Sequence, residues 1–180
     1  MHAALVDYIL DITQNSLEAG STLVILDLIE NIDTITLFVT DNGCGMTSET
    51  LALAVDPFST DPKKHPLRAT GFGLPFVKQA VEATEGRFSI SSEVGMGTSV
   101  QCVFNAHHPD MPPRGDLAGT IVTLLNFQGE YELCFNRVYK DKSYKISRNE
   151  IVAELGTIND TASLLAIREY ARSLEEETLL

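Results

Sequence analysis

The chain reads as a soluble α/β (α+β) domain, and three observations carry that reading. Helical-period stretches alternate with pairs of short, β-branched segments along the 180 residues. Hydrophobic residues make up 44% and charged residues 21%, the balance of a folded chain rather than a disordered one. At this length one sizeable core can form, with room for a small appendage.

Residues 3–19 predict a helix. Leu5, Tyr8 or Ile9, Ile12 and Ser16 or Leu17 recur at helical spacing, and Gly20 ends it where a left-handed residue costs least. Residues 23–30 and 34–40 are rich in β-branched side chains and are joined by Asn31-Ile32-Asp33, which predicts a hairpin. Thr47 can cap a short helix through Val55. Residues 56–70 hold three prolines and four basic or His side chains, and read as a loop long enough to be a lid. A second helix is expected from Gly73 to about Thr84, with Pro75 near its start, where the missing N–H does no harm. Residues 87–92 and 98–105 suggest a second hairpin around Gly95-Met96-Gly97.

Residues 107–115, with three more prolines, read as a linker. Beyond it, residues 120–127, 131–139 and 144–146 predict a small antiparallel meander. Ser147-Arg-Asn-Glu150 is a capping box opening a short helix, and a longer helix runs from about Thr161 to Glu177. The division expected is therefore 1–106, a linker 107–115, and a small α+β extension 116–180 of β-meander plus helices. Its last helix carries Leu164, Leu165, Ile167 and Tyr170 on a broad apolar side, and reads as an element for packing or homodimerisation.

Charge and cysteines exclude several classes. Thirteen Lys and Arg stand against 25 Asp and Glu, a net charge of -12, which argues against duplex nucleic acid as a partner. No apolar run approaches the roughly 20 residues that span a bilayer, and the first residues lack the basic start and apolar core of a signal peptide. Cys44, Cys102 and Cys134 are widely spaced with no CxxC pair, so a disulfide framework is excluded, a cysteine zinc site is disfavoured and a reducing cytoplasm is expected.

Four short motifs carry chemistry: Asp11-Ile-Thr-Gln-Asn15, Asp41-Asn-Gly-Cys-Gly45-Met46, Gly71-Phe72-Gly73-Leu74 and Gly95-Met-Gly97-Thr98. Asn15 offers an amide oxygen of the kind Mg²⁺ accepts beside water and phosphate, and Asp11 lies one turn earlier on the same face. A carboxylate there can orient or deprotonate an attacking group. Asp41 at a strand end can accept from an exocyclic amine, while Gly43 and Gly45 let backbone approach a flat ligand. Gly71 and Gly73 precede a helix, whose free N–H groups and dipole attract phosphate. Singly, each motif also fits an ordinary turn or a solvated helix face. No Gly-Lys-Ser/Thr follows a glycine loop, so a P-loop is excluded.

In this order the motifs resemble those of the GHKL superfamily, which gathers sensor histidine kinases, DNA gyrase, MutL and the large heat-shock chaperone. Residues 11–20 resemble its N box, 41–46 its G1 box and 71–74 its G2 box, and residues 71–100 look most like the histidine-kinase branch. Asp56-Pro-Phe58-Ser-Thr60 is similar to the phenylalanine-centred box those kinases carry. The resemblance covers about residues 3–106. It implies a Bergerat-type two-layer sandwich, a mixed β-sheet with helices on one face, binding ATP with Mg²⁺. On that basis Asn15 holds the metal, Asp41 the adenine amine, and Gly43, Gly45 and Met46 line the base with Thr98 beside it. Gly71, Phe72, Gly73 and Leu74 meet the phosphates. Residues 61–70 form a lid with Lys63, Lys64, His65 and Arg68 available to neutralise phosphate charge, and Phe58 precedes it.

Two departures shape the function expected. Hydrolytic members place Glu where this chain has Asp11, and one methylene fewer retracts the carboxylate by about 1.5 Å, so ATP hydrolysis is expected to be weak. Few residues precede the first helix, so the helical hairpin that dimerises and carries a phospho-accepting His is expected to be absent, and none of His2, His65, His107 and His108 replaces it. The resulting expectation is a kinase subunit, with Asp11 catalytic, that transfers the γ-phosphoryl group to a separate protein. The alternative is an ATP-sensing interaction module with little turnover. Neither membrane nor nucleic acid is an expected partner.

Overall fold

The computed structural model describes residues 3–56 and 73–180. Helix α1 (Leu5–Glu18) leads into the hairpin β1 (Leu23–Glu30) and β2 (Thr34–Asp41), then the short α2 (Ser48–Ala54). Next come α3 (Gly73–Ala83), the hairpin β3 (Arg87–Glu93) and β4 (Gly97–Asn105), and α4 (Leu117–Leu125). A third hairpin, β5 (Glu132–Tyr139) and β6 (Lys142–Ser147), precedes α5 (Arg148–Leu155) and α6 (Thr161–Leu179).

All six strands join one mixed sheet in the order β3-β4-β2-β1-β5-β6, antiparallel except for β1 beside β5. Alternation along the strands sorts its two faces. Val24, Leu26 and Leu28 of β1, Leu37 and Val39 of β2, Val100, Cys102 and Phe104 of β4, and Leu133 and Phe135 of β5 are all buried, while the residues between them are partly open. Helices α1 and α3 cover the buried face over β1–β4, and α4 packs between α1 and α6. This is the two-layer arrangement that the GHKL resemblance implied, and one continuous core runs through it.

The meander expected beyond the linker is corrected in part. Residues 117–125 are the helix α4, not a strand, and only a hairpin follows. β-branched Thr120, Ile121, Val122 and Thr123 suggested a strand, yet Ala118, Ile121, Leu124 and Leu125 are buried at helical spacing. The Asp116 side chain caps this helix by accepting from the Gly119 amide at 2.9 Å. In α6, Ile167 and Ala171 are buried within the chain's own core, whereas Leu165 and Tyr170 remain exposed.

Besides the β1–β5 pairing and the packing of α4 on α1, a backbone cap and a buried ion cluster bind residues beyond 106 to the rest. The carbonyls of Pro113 and Arg114 accept from the amides of Leu5 at 2.8 Å and Val6 at 3.2 Å, capping α1, whose own N-cap is the featureless Ala4. Arg137 on β5 is wholly buried, and its guanidinium meets the buried Glu30 of β1 at 2.7 Å and Glu175 of α6 at 3.1 Å. Glu30 also pairs with Arg114 at 2.5 Å, and the Tyr144 hydroxyl donates to Glu175 at 2.6 Å. Burial and the Glu175 carboxylate push the Tyr144 hydroxyl pKa far up, so it stays a donor. Every charge in this cluster has a partner, the condition under which a buried ion pair persists.

Replacing Arg137 with Met strands Glu175 and half of Glu30's coordination, and is expected to lower stability by about 3 kcal/mol in urea unfolding. The Thr13 hydroxyl on α1 is buried and has no hydrogen-bond partner among the described residues. Thr13→Val is therefore expected to raise the unfolding free energy by about 1 kcal/mol.

Candidate functional site

Segments distant in sequence converge at one end of the sheet. α1 ends in a left-handed Gly20 (φ 78°), as its sequence predicted, and this return delivers Ser21 to the mouth of β1. β2 ends on Asp41, 8% exposed, on the helix-covered face. Asp41 Oδ2 lies 2.7 Å from the Ser16 hydroxyl, and Oδ1 lies 2.8 Å from the Gly43 amide and 3.1 Å from the Ser21 hydroxyl. Each serine has one proton to give. Ser21 has its shorter contact, 2.6 Å, with the Ser16 carbonyl, whereas Ser16 lies nearer Asp41 than the Ile12 carbonyl at 3.2 Å. The firm donors to Asp41 are thus Ser16 and Gly43. A carboxylate offers about four acceptor positions, so capacity remains for an incoming N–H.

The loop after Asp41 is tied on three sides. Asn42 accepts from the amides of Thr22 and Leu23, each at 2.9 Å, and so locks the loop to β1. The Cys44 amide donates to the Ala19 carbonyl at 2.9 Å, its own carbonyl accepts from Gly95 at 2.8 Å, and the Met46 amide donates to the Ser92 hydroxyl at 2.9 Å. Gly45 (φ 64°) and Gly97 (φ 108°) make these approaches possible: a Cβ on either would sit 1.9 Å from a backbone oxygen, that of Glu93 or of Asp41. A Cβ on Gly43 would fall 2.7 Å from the Ser21 hydroxyl. The close approach of this loop to Ser21 and Glu93 therefore requires glycine at 43 and 45.

Thr98 stands directly opposite Asp41 in the β2–β4 register, and its hydroxyl meets Ser92 at 2.9 Å. On α1, Asp11 and Asn15 are half-buried on adjoining turns. Asp11 Oδ2 accepts from the Gly73 amide at 2.9 Å, joining α1 to the first residue of α3. The Asn15 side chain makes no hydrogen bond among the described residues. Leu74 is buried in the core, so only its backbone faces the start of α3. Phe58, Lys63, Lys64, His65, Arg68, Gly71 and Phe72 lie outside the described residues. The structure thus brings Asp41, Gly43, Gly45, Met46 and Thr98 together at the loop, while Asp11, joined to Gly73, and Asn15 lie on adjoining turns of α1.

Ser16, Ser21, Asn42 and Ser92 complete the cluster and were not singled out from sequence. One signal was readable: Ser16 occupies the apolar stripe of α1, where a polar side chain needs a buried partner. Open hollows of about 500 Å³ lie at the far end of the strands, around Asp33, Glu85 and His107, and share no residue with this cluster. Among the described residues no cluster of metal-ligating side chains occurs, and no helix is long and apolar enough to cross a membrane.

Residues 2–108, more than half of the chain, match the family described as histidine kinase-, DNA gyrase B-, and HSP90-like ATPases. The chain belongs to that family. Its N-terminal part is a histidine-kinase-like ATPase domain, as the order of the four motifs implied. Over 99 residues it is 29% identical to a protein of Shewanella frigidimarina named as a sensor, covering 53% of this chain and 15% of that protein. Over 76 residues it is 36% identical to the cell-division control histidine kinases PdhS of Brucella ovis and Brucella abortus, covering 37% of this chain and 7% of theirs. The chain therefore spans a small fraction of the length of these relatives.

Gly97→Ala would force a side chain into the Asp41 carbonyl at a positive φ. A loss of at least about 2 kcal/mol is expected in denaturant unfolding.

Proposed function

We propose that the chain binds ATP with Mg²⁺ around Asp41 and transfers the γ-phosphoryl group to a separate protein. The observation that carries this reading is the Asp41 carboxylate, nearly buried, oriented by Ser16 and Gly43, and left with acceptor capacity. An acceptor-only group so placed favours a base presenting an amine, as adenine does, over one presenting a carbonyl. Thr98 lies beside it, and Gly43, Gly45 and Met46 form the adjoining loop.

The Asn15 amide, without a hydrogen bond of its own among the described residues, suits a hard cation held alongside phosphate oxygens and water. Bound there, Mg²⁺ would neutralise charge on the phosphates. The start of α3 offers the Leu74 amide to phosphate, while the Gly73 amide is given to Asp11 and Pro75 contributes none. Gly71, Phe72, Phe58, Lys63 and Arg68 join this proposal on the family resemblance alone. Asp11 is proposed to orient or deprotonate the acceptor hydroxyl or imidazole. Phosphoryl transfer needs chiefly positioning and charge neutralisation, so a site of this size suffices when the acceptor comes from elsewhere. A cytoplasmic setting suits the three free cysteines; burial pushes the Cys102 thiol up to about 12, so it is inert. A homodimer through residues 116–180 would draw on the exposed Leu165 and Tyr170.

A second reading is favoured by the Asp11–Gly73 hydrogen bond, which engages the carboxylate proposed as the base. On that reading ATP is sensed and the surface changes with negligible turnover.

The test incubates the protein with γ-labelled ATP and Mg²⁺, alone and with cell extract. Label on another protein is the expected result; ATP binding without label leaves the sensing reading. No binding at millimolar ATP overturns both. Asn15→Ala is expected to remove the Mg²⁺-dependent part of ATP binding in calorimetry while leaving the thermal unfolding midpoint unchanged. A lowered midpoint would make Asn15 structural.

A further inference from the structure

The sheet has two edges, and they differ in how they are guarded. β6 is short, and carries exposed Lys142 and Lys145 on its flank; the Lys142 ammonium reaches the Glu177 carbonyl of α6 at 3.0 Å. Lysines of this kind discourage another strand from pairing. β3, at the opposite edge, has seven residues in unbroken register with β4, no bulge, no proline and no lysine. Among the described residues nothing pairs with its outer side. Its sequence, Arg87-Phe-Ser-Ile-Ser-Ser-Glu93, places opposite charges at its two ends on the same exposed face, with Ser89 and Ser91 between them. Neither Arg87 nor Glu93 has an ion-pair partner among the described residues, and six residues of strand hold them about 20 Å apart, too far to meet within one chain.

We propose that the β3 edge is a homodimer interface, in which two copies pair antiparallel about a two-fold axis through Ile90 and join their sheets. In a two-fold pair of antiparallel strands, only registers that oppose residues of like parity let outward N–H and C=O groups meet. Among these, the register centred on Ile90 opposes Arg87 to Glu93 of the second copy and Glu93 to its Arg87, two salt bridges on one face. Centring on Ser89 or Ser91 leaves both arginines opposite serine or turn. Centring on either end opposes like charges, which is destabilising. On the other face the same register sets Ile90 against Ile90 and Phe88 against Ser92. The half-buried edge of the core formed by Phe88 and Ile90 is thereby covered. The pairing adds about six to eight backbone hydrogen bonds. This edge is distant in the sheet from residues 116–180, so it is separate from any contact through α6.

Charge reversal tests the register as well as the interface. Sedimentation and light scattering of the full chain at 5–500 μM, roughly, are expected to show a species of twice the 19.7 kDa chain mass, forming with concentration. Arg87→Glu and Glu93→Arg each convert two attractive pairs into two repulsive ones, and each is expected to weaken dimerisation by at least about tenfold. The double variant R87E/E93R restores both pairs with exchanged signs and is expected to recover it. As a readout independent of variants, amide exchange over residues 87–93 of the unaltered chain is expected to slow as concentration rises. A monomer throughout, single reversals that dimerise like the unaltered chain, a folded double variant that stays monomeric, or exchange at 87–93 independent of concentration would each overturn the proposal.

Discussion

One carboxylate organises the end of the sheet where the candidate site lies. Asp41 is the last residue of β2, and its side chain gathers the hydroxyl of Ser16 from α1 and the amide of Gly43 from the loop that follows. Its backbone oxygen sets the second condition: β4 approaches so closely that the facing residue, Gly97, has no space for a side chain. Through these contacts the position of α1 on the sheet, the path of the loop and the start of β4 are mutually dependent. A buried acceptor of this kind is costly unless its donors are in place, and here the fold itself supplies them. The site is thus rigid because it is also a packing joint.

A comparable joint closes the other half. β5 enters the sheet beside β1, and the wholly buried Arg137 ties β1, β5 and α6 through Glu30 and Glu175. The residues read as a linker contribute as well, since Pro113 and Arg114 cap α1 with their carbonyls. α1 is accordingly held at its first turn by residues past 106 and near its last by Asp41. The family match ends at residue 108, yet the core does not stop there.

Much of this was legible in the sequence where the signal is local. Alternation in β1 and β2 marked which side chains go inward, and Gly20 marked the end of α1. The order of the glycine motifs pointed to the family before any geometry was known. The misreading of α4 has a plain cause: four consecutive β-branched residues outweighed a helical spacing that tertiary packing then enforced. Harder still were contacts made at long range. Nothing around Arg137 announces that its charge is buried, because the partners Glu30 and Glu175 lie 107 and 38 residues away. The need of Gly43 and Gly45 for space was visible in the sequence, whereas the chain's own neighbours that require it, Ser21 and Glu93, were not. The join of Asp11 to Gly73 spans 62 residues and follows only from the packing of α1 against α3.

The parallel pairing of β1 with β5 has a consequence for how the chain comes into being. β1 is complete at residue 30, but the strand that covers its far side ends at residue 139. At ribosomal rates of about 5–20 residues per second, roughly 5–20 s separate the two during synthesis. For that interval β1 is an exposed edge rich in Val, Ile and Leu, the kind of surface that nascent-chain chaperones bind. The closing of the sheet is therefore a late event in the life of each new molecule, set by the clock of translation.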